Sequence, residues 1–300
     1  MIVYLSGVKS WYTYFMRGLP RDGSVPFPAD VTLLDSCFPS YWDFTSKDGT
    51  KVLPVQPGRR VILDSGAHSF FSMVGMSVHV TYRKKTDVVL EDYFKKYLRF
   101  LEKNWDVFNY FVELDVADVF GMEAVQKMRR AYKSKGMMEK MIPGWHPVNG
   151  KEDFFWQLKC PSHYIGMQGL RPGKPTIPYG PFIRECYDKG VRVHGFALLN
   201  QRLLREYPFY SIDSTTWLTP VQYNRQLSFD NGRLKATRIG TTVGSMAFTQ
   251  TPSIGVTLKG KDRLRLSIQA VHSFESYITD YWEQRGVDWS DQLEKFGVQE

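Results

Sequence analysis

Three hundred residues with 43% hydrophobic content suffice for one core of α/β-barrel size and require no second full domain. No apolar run approaches the roughly 18 residues of a membrane span, and the start MIVYLSGVKSW lacks the basic stretch and length of a signal peptide, so a protein without a membrane segment is expected. Cys37, Cys160 and Cys186 lack C-x-x-C spacing, which argues against a disulfide framework or zinc finger and for a reducing cytoplasmic setting; the net charge of +8 favours a polyanionic partner, nucleic acid first.

The first strand is IVYLS, followed over residues 12–60 by a stretch that Pro20, Pro26, Pro28, Pro39, Pro54 and Pro57 break into an elaborated loop region. A second apolar strand, ILDSGAHSFF at residues 62–71, runs straight into Asp64; LLDSCF at Leu33 is a weaker echo of it. Over residues 87–105, Leu90, Phe94, Leu98, Leu101 and Trp105 fall three or four apart, which predicts an amphipathic helix. YFVELD then ends in Asp115, and Val125, Met128 and Tyr132 mark a helix over residues 123–135 that stops at Gly136. KMIPG (140–144) and YIGMQG (164–169) read as strands, residues 182–189 as a helix closed by Gly190, and VRVHGFA (191–197) as another strand. FYSIDSTTWL (209–218) carries Asp213. This βα alternation predicts a (β/α)8 TIM-type barrel spanning 1–300 as a single domain, with strand-end carboxylates on the ligand side.

The last eighty residues depart from the repeat. Residues 221–265 carry Arg225, Arg233, Lys235, Arg238, Lys259, Lys261, Arg263 and Arg265 against only Asp230 and Asp262, with a tight hairpin predicted at Asn231 and Gly232. A final helix over residues 264–285, with Ile268, Val271, Phe274, Ile278 and Trp282 on one face, is expected to close the barrel.

At these motifs the chain resembles a known family. DSGAHSFF is similar to the DSGGFQ-type motif of tRNA-guanine transglycosylases, ELD to their third-strand aspartate, GMQGL to their GGL turn and SIDS to their late strand aspartate, in order across residues 61–218. LDSGAHSFF, VHGFALL and YPFYSIDSTTWL resemble more closely the phage and bacterial branch acting on DNA, the DpdA-type 7-deazaguanine DNA transglycosylases. The resemblance implies exchange of guanine in DNA for a 7-deazaguanine co-substrate such as preQ0, through a covalent enzyme–nucleotide intermediate.

The chemistry assigns the residues. Breaking an N-glycosidic bond builds positive charge on the sugar, which a carboxylate under C1′ captures; Asp213 is the candidate nucleophile. The exchanging bases lose or gain a ring proton, a general acid/base task assigned to Asp64. Guanine-like N1–H and 2-amino donors call for an acceptor, assigned to Asp115. By the resemblance, Gly169 and Leu170 match the family's base-contacting turn, Ser65 and Gly66 shape the base-side loop beside Asp64, and His68, Phe70 or Phe71 would supply aromatic packing. His194 is expected in a hydrogen-bonded structural or substrate-contact role, and Arg225, Arg233, Lys235 and Arg238 as part of a DNA backbone clamp.

Three departures qualify the resemblance. The second glycine of DSGG is Ala67, followed by His68. Pro143, Gly144, Trp145 and His146 stand where the tRNA enzymes have a glutamine–glycine pair, with Gln168 or His146 as the compensating group. No cysteine follows Asp213, so no zinc is expected and residues 221–265 replace the zinc subdomain. Plainer readings stand alongside: Asp213 as a helix cap, Asp64 as an ordinary strand-to-turn junction, and Asp115 as the partner of a Lys or Arg. At the level of function the alternatives are base exchange on tRNA, hydrolysis of nucleosides or glycosides, and a non-catalytic DNA-binding scaffold.

Overall fold

The computed structural model describes residues 1–6, 33–36, 60–67, 83–168, 179–218, 225–238 and 260–298. In chain order its elements are β1 (Ile2–Leu5), β2 (Leu33–Ser36), β3 (Val61–Asp64), α1 (Arg83–Lys103), β4 (Tyr110–Val112), α2 (Ala117–Ser134), β5 (Met141–Ile142), β6 (Gly144–Trp145), α3 (Gly150–Gln157) and β7 (Tyr164–Gln168). They continue with α4 (Tyr179–Asp188), β8 (Arg192–Phe196), α5 (Gln201–Glu206), β9 (Ser211–Ser214), β10 (Arg225–Asp230), β11 (Arg233–Arg238), α6 (Gly260–Glu283) and α7 (Trp289–Lys295). The fold is mixed α/β, and the chain divides into two compact units, residues 8–167 and residues 1–7 with 168–300. Among the described residues no helix is long and apolar enough to cross a membrane.

Residues 8–167 hold parallel strands. β2 pairs with β3, β3 with β4 and β4 with β5; β6 pairs with β7, and Pro143 alone separates β5 from β6. Val61, Ile62 and Leu63 are successive and fully buried, the signature of a parallel strand covered on both faces. Asn109 fixes the entry of β4 against β3: its side-chain oxygen accepts from the Val61 N–H at 2.8 Å and its own N–H donates to the Val61 carbonyl at 3.0 Å.

Two of these strands differ from the sequence expectation. KMIPG is not one continuous strand, because Pro143 has no N–H to give to a neighbour and splits it into β5 and β6. Leu33–Ser36, assigned to the loop region, is instead a strand in register with β3, Asp35 beside Leu63; the surrounding prolines concealed it.

α1 and α2 cover the sheet close to where their periodicity places them, with one shift and one break. On α1 the buried side runs through Tyr93, Tyr97, Leu98, Phe100 and Leu101, while Phe94 is only half-buried, as is Trp105, which falls in the turn beyond the helix end at Lys103. The cause is polar: the Tyr97 hydroxyl donates to the Val112 carbonyl at 2.8 Å and the Tyr93 hydroxyl to the Ser65 carbonyl at 2.6 Å. These i, i+4 hydroxyls tie the helix to the ends of β3 and β4. α2 buries Val125, Met128 and Tyr132 as expected, but begins earlier, with a break at Gly121.

Arg129 lies on that same buried stripe of α2. Its guanidinium donates to both oxygens of Glu113, each at 2.8 Å, and to Oδ1 of Asp153 on α3. Glu113 Oε1 also accepts the N–H of Gly144 at 2.7 Å, and the Gln157 amide donates to the Gly144 carbonyl at 3.1 Å and to Asp153 at 2.7 Å. Burial pushes the Glu113 carboxyl above its usual range although Arg129 and the Gly144 N–H pull the other way. For Arg129 burial opposes the charge, and Glu113 and Asp153 more than restore it.

Residues 168–300, with 1–7, form the second unit, in which three parallel strands run in the order β8, β9, β1. Ser6 extends β1 through its N–H to the Ser214 carbonyl at 3.0 Å, and the Trp217 indole donates to the Ser6 carbonyl at 2.8 Å. α6 buries Ile268, Val271, Phe274 and Ile278, matching the predicted face, with Trp282 half-buried. The predicted hairpin is present as β10 and β11, in register from Arg225 beside Arg238 to Asp230 beside Arg233. Asn231 and Gly232 take φ of 47° and 76°, the pair of left-handed residues that a tight hairpin turn demands. Phe229 packs on Phe274 and Tyr277 of α6.

Truncating Arg129 leaves two carboxylates buried without their cation, so Arg129→Ala is predicted to cost roughly 3–5 kcal/mol. Urea denaturation measures this, and an unchanged midpoint would show the network to be dispensable.

Candidate functional site

The carboxyl end of the 8–167 sheet carries two of the three predicted carboxylates. Asp64 is the last residue of β3, and the register of Leu63 beside Phe111 sets it level with Val112, three residues before Asp115. Asp64 is half-buried, and its Oδ1 accepts the Gly66 N–H at 3.1 Å. That bond closes a short turn in which Gly66 takes φ of 68°, a conformation that suits glycine. Ser65 is buried and Tyr93 holds its carbonyl, so this loop is fixed through its backbone.

Asp115 is paired, but with a histidine rather than a Lys or Arg: its Oδ2 lies 2.7 Å from His146 Nε2. The Asp115 side chain is 38% exposed and that of His146 7%, which leaves the carboxylate open to a ligand while the imidazole is enclosed. Burial opposes the charged imidazolium, but the hydrogen bond and charge of Asp115, joined by the charges of Asp118 and Glu113, outweigh it and raise His146 above its ordinary range. Both partners owe their placement to the Arg129 network, since Asp115 follows Glu113 by two residues and His146 follows Gly144 by two. Trp145 is buried against Phe154 at 5.4 Å between ring centroids.

The third carboxylate belongs to the other unit. Asp213 sits within β9 beside Tyr4 of β1, 6% exposed. Its Oδ1 accepts the Ala197 N–H at 2.7 Å, and His194 Nε2 lies 3.3 Å from the same oxygen. His194 Nδ1 is 2.7 Å from the Ser211 hydroxyl, and the ring stands edge-on to Tyr4 and Phe196. His194 is fully buried, which puts it in contact with Asp213 rather than on an open surface. At the start of the following turn, Thr216–Leu218, it is the Ser214 hydroxyl that accepts the Thr216 N–H at 3.0 Å, while Asp213 Oδ1 accepts from Ala197.

Of the remaining predicted residues, Arg225, Arg233, Lys235 and Arg238 are exposed on the hairpin, Lys235 paired with Asp230. Arg263, counted with that basic group, is buried, and burial lowers its pKa. Cys160 and Cys186 are buried, as expected of small apolar side chains, and burial pushes both thiols up. His68, Phe70, Phe71, Gly169 and Leu170, and the side chain of Gln168, lie outside the described residues. Among the described residues no three His, Cys, Asp or Glu side chains gather as a metal would require.

Sequence reasoning missed Glu113, Arg129, Asp153 and Gln157, and also Ser211 and the Ala197 N–H. Two signals were available: Arg129 falls in the apolar stripe of Val125, Met128 and Tyr132, and Asp153 and Gln157 are one helical turn apart. Compared with family models, with curated proteins and with solved structures, the chain matches none of them.

The raised His146 pKa fixes the sign of a pH effect. A histidine whose folded value exceeds its unfolded one stabilises the fold below the unfolded value, near pH 6.5, and the contribution disappears as pH rises through the folded value. Asp115→Asn is therefore predicted to cost about 1 kcal/mol near pH 5.5, at the low end for a charged hydrogen bond because the carboxylate is partly exposed. Near pH 9 the cost vanishes; thermal denaturation at both pH values checks it, and an equal loss at each would contradict a charged His146.

Proposed function

We propose that this protein is a DNA guanine transglycosylase that replaces guanine with a 7-deazaguanine base such as preQ0, on parallel strands that close into a (β/α)8 barrel. The observation that carries the reading is Asp213, a carboxylate anchored through one oxygen by a backbone N–H, with a buried imidazole beside that oxygen. A nucleophile attacking a sugar carbon requires such fixed aim.

In the first half-reaction an Asp213 oxygen forms a bond to C1′ as the C1′–N9 bond breaks. The bonding pair leaves with guanine, which takes a proton from Asp64. In the second half the incoming base gives its N9 proton to Asp64, N9 attacks C1′, and the Asp213 carboxylate departs. Atoms and charges balance without a metal or redox partner. Asp115, open on one side and paired with His146 on the other, accepts from the N1–H and 2-amino edge of the base.

The hairpin supports a polyanionic partner. Arg225 and Arg238 are direct cross-strand partners, and like charges directly opposite destabilise a sheet. A phosphate backbone between them offsets that cost. A target base stacked in a duplex must be flipped out or be met in unpaired strand, at about a few kcal/mol.

Incubation with labelled DNA and preQ0, preQ1 or guanine tests the reading. Base incorporation and a denaturation-resistant protein–DNA adduct are expected, with Asp213→Asn slowing adduct formation by at least about 10³-fold while DNA affinity stays within about twofold. An adduct that survives Asp213→Asn rejects that nucleophile; incorporation into tRNA alone moves the chemistry to tRNA; base release with no incoming base indicates a hydrolase. Separately, Arg225→Ala and Arg238→Ala should each weaken DNA binding regardless of sequence and reduce the logarithmic salt slope by about 1. An unaltered slope removes the hairpin from the interface.

A further inference from the structure

The strand pair β8–β9 places two further side chains behind Asp213: Ser211 Oγ lies 2.7 Å from His194 Nδ1, and His194 Nε2 lies 3.3 Å from Asp213 Oδ1. The register generates this line, because His194 lies directly beside Ser211, and Asp213 follows Ser211 by two residues on the same face of the strand. The ring is sealed between Tyr4 and Phe196, so its place is set by packing as well as by its two polar neighbours.

The carboxylate constrains the polarity of this line. An unprotonated Nε2 would turn its lone pair on a carboxylate oxygen, whereas Nε2–H donates to it. A serine hydroxyl can donate or accept, so it adapts to whichever state the ring nitrogen next to it requires. With Nε2 protonated on a neutral ring, Nδ1 accepts and Ser211 donates. Oδ1 then faces two donors, the Ala197 N–H at 2.7 Å and the His194 Nε2–H at 3.3 Å. The second contact is a close approach without hydrogen-bond alignment in this structure, and catalytic hydrogen bonds are often long or poorly aligned before substrate binds.

We propose that His194 is a positioning residue for Asp213: its Nε2–H, set by a Ser211 hydroxyl that donates to Nδ1, holds Oδ1 with the Ala197 N–H and leaves Oδ2 as the oxygen that attacks C1′. The attacking role rests on the transglycosylase reading; the polarity of the Ser211–His194–Asp213 line does not.

Two measurements separate these layers. In ¹⁵N-histidine spectra of the unmodified protein, His194 is expected with its proton on Nε2 and Nδ1 unprotonated, and a proton on Nδ1 overturns the proposal whatever the enzyme does. In single-turnover adduct formation with DNA, His194→Phe fills the space without a donor and should slow the step about 10–100-fold, with DNA affinity within about twofold. His194→Gln keeps an amide N–H for Oδ1 and should recover the rate to within about threefold of the parent. A His194→Phe rate equal to the parent, or a His194→Gln rate as low as that of His194→Phe, reduces His194 to a packing residue and overturns the proposal. If the unmodified protein forms no adduct, the transglycosylase reading fails, and the spectra alone decide the polarity.

Discussion

One guanidinium organises the interior of the 8–167 unit. Arg129 meets Glu113 and Asp153 in a setting with almost no water, where an unpaired charge would cost several kcal/mol. What this arrangement secures is geometric. Pro143 interrupts the strand and leaves Gly144 to find its own partners; Glu113 takes its N–H and the Gln157 amide takes its carbonyl. The ends of two neighbouring strands are thereby locked to one ion cluster, and Asp115 and His146 extend from those ends. A buried ion cluster is weak evidence of stability in itself. Here its value lies in fixing where two further side chains begin.

Two Asp–His pairs occur in the described residues, and their surroundings differ. His146 meets the acidic groups Asp115, Asp118 and Glu113, which together outweigh burial and favour its cationic form. Its carboxylate partner remains open on one side. His194 is sealed, lies between a hydroxyl and a carboxylate, and accompanies an Asp213 that is itself nearly enclosed. The same two residue types therefore yield an exposed acceptor backed by an imidazole biased toward its cationic form in one unit and an anchored, shielded carboxylate in the other. Under the proposed reaction these are the properties wanted of a base reader and of a nucleophile, respectively.

Apolar periodicity carried much of the fold. Val125, Met128 and Tyr132, or Ile268, Val271, Phe274 and Ile278, repeat at the helical interval and are buried because that interval puts them on one face. The Asn231–Gly232 turn was legible because left-handed backbone at two successive positions leaves few residue choices. Polar organisation was harder to read. Arg129 has a solvent-facing residue type on a core-facing position, and only the three-dimensional convergence of Glu113 and Asp153 explains it. The shift of α1 toward Tyr93 and Tyr97 has the same origin, since each hydroxyl seeks a carbonyl that no linear pattern announces. At the candidate site, Asp64, Asp115 and Asp213 stood out as strand-end acids. Their partners Gly66, His146 and His194 emerged only with the turns and registers that join them.

Ala197 shows what orienting Asp213 involves. Its φ of 49° lies in the left-handed region, where a side chain costs roughly 1–2 kcal/mol and glycine would be the easier occupant. That backbone conformation delivers the Ala197 N–H to Oδ1 of Asp213 at 2.7 Å. Hydrogen bonds to charged groups contribute about 1.5–3 kcal/mol, enough to offset the strain. The strain and the bond thus form one device: a side chain at 197 narrows the backbone freedom of the turn, and the narrowed turn holds a donor on the carboxylate. Strain of this kind concentrates where a group must be aimed rather than merely buried, and Asp213 is the group aimed here.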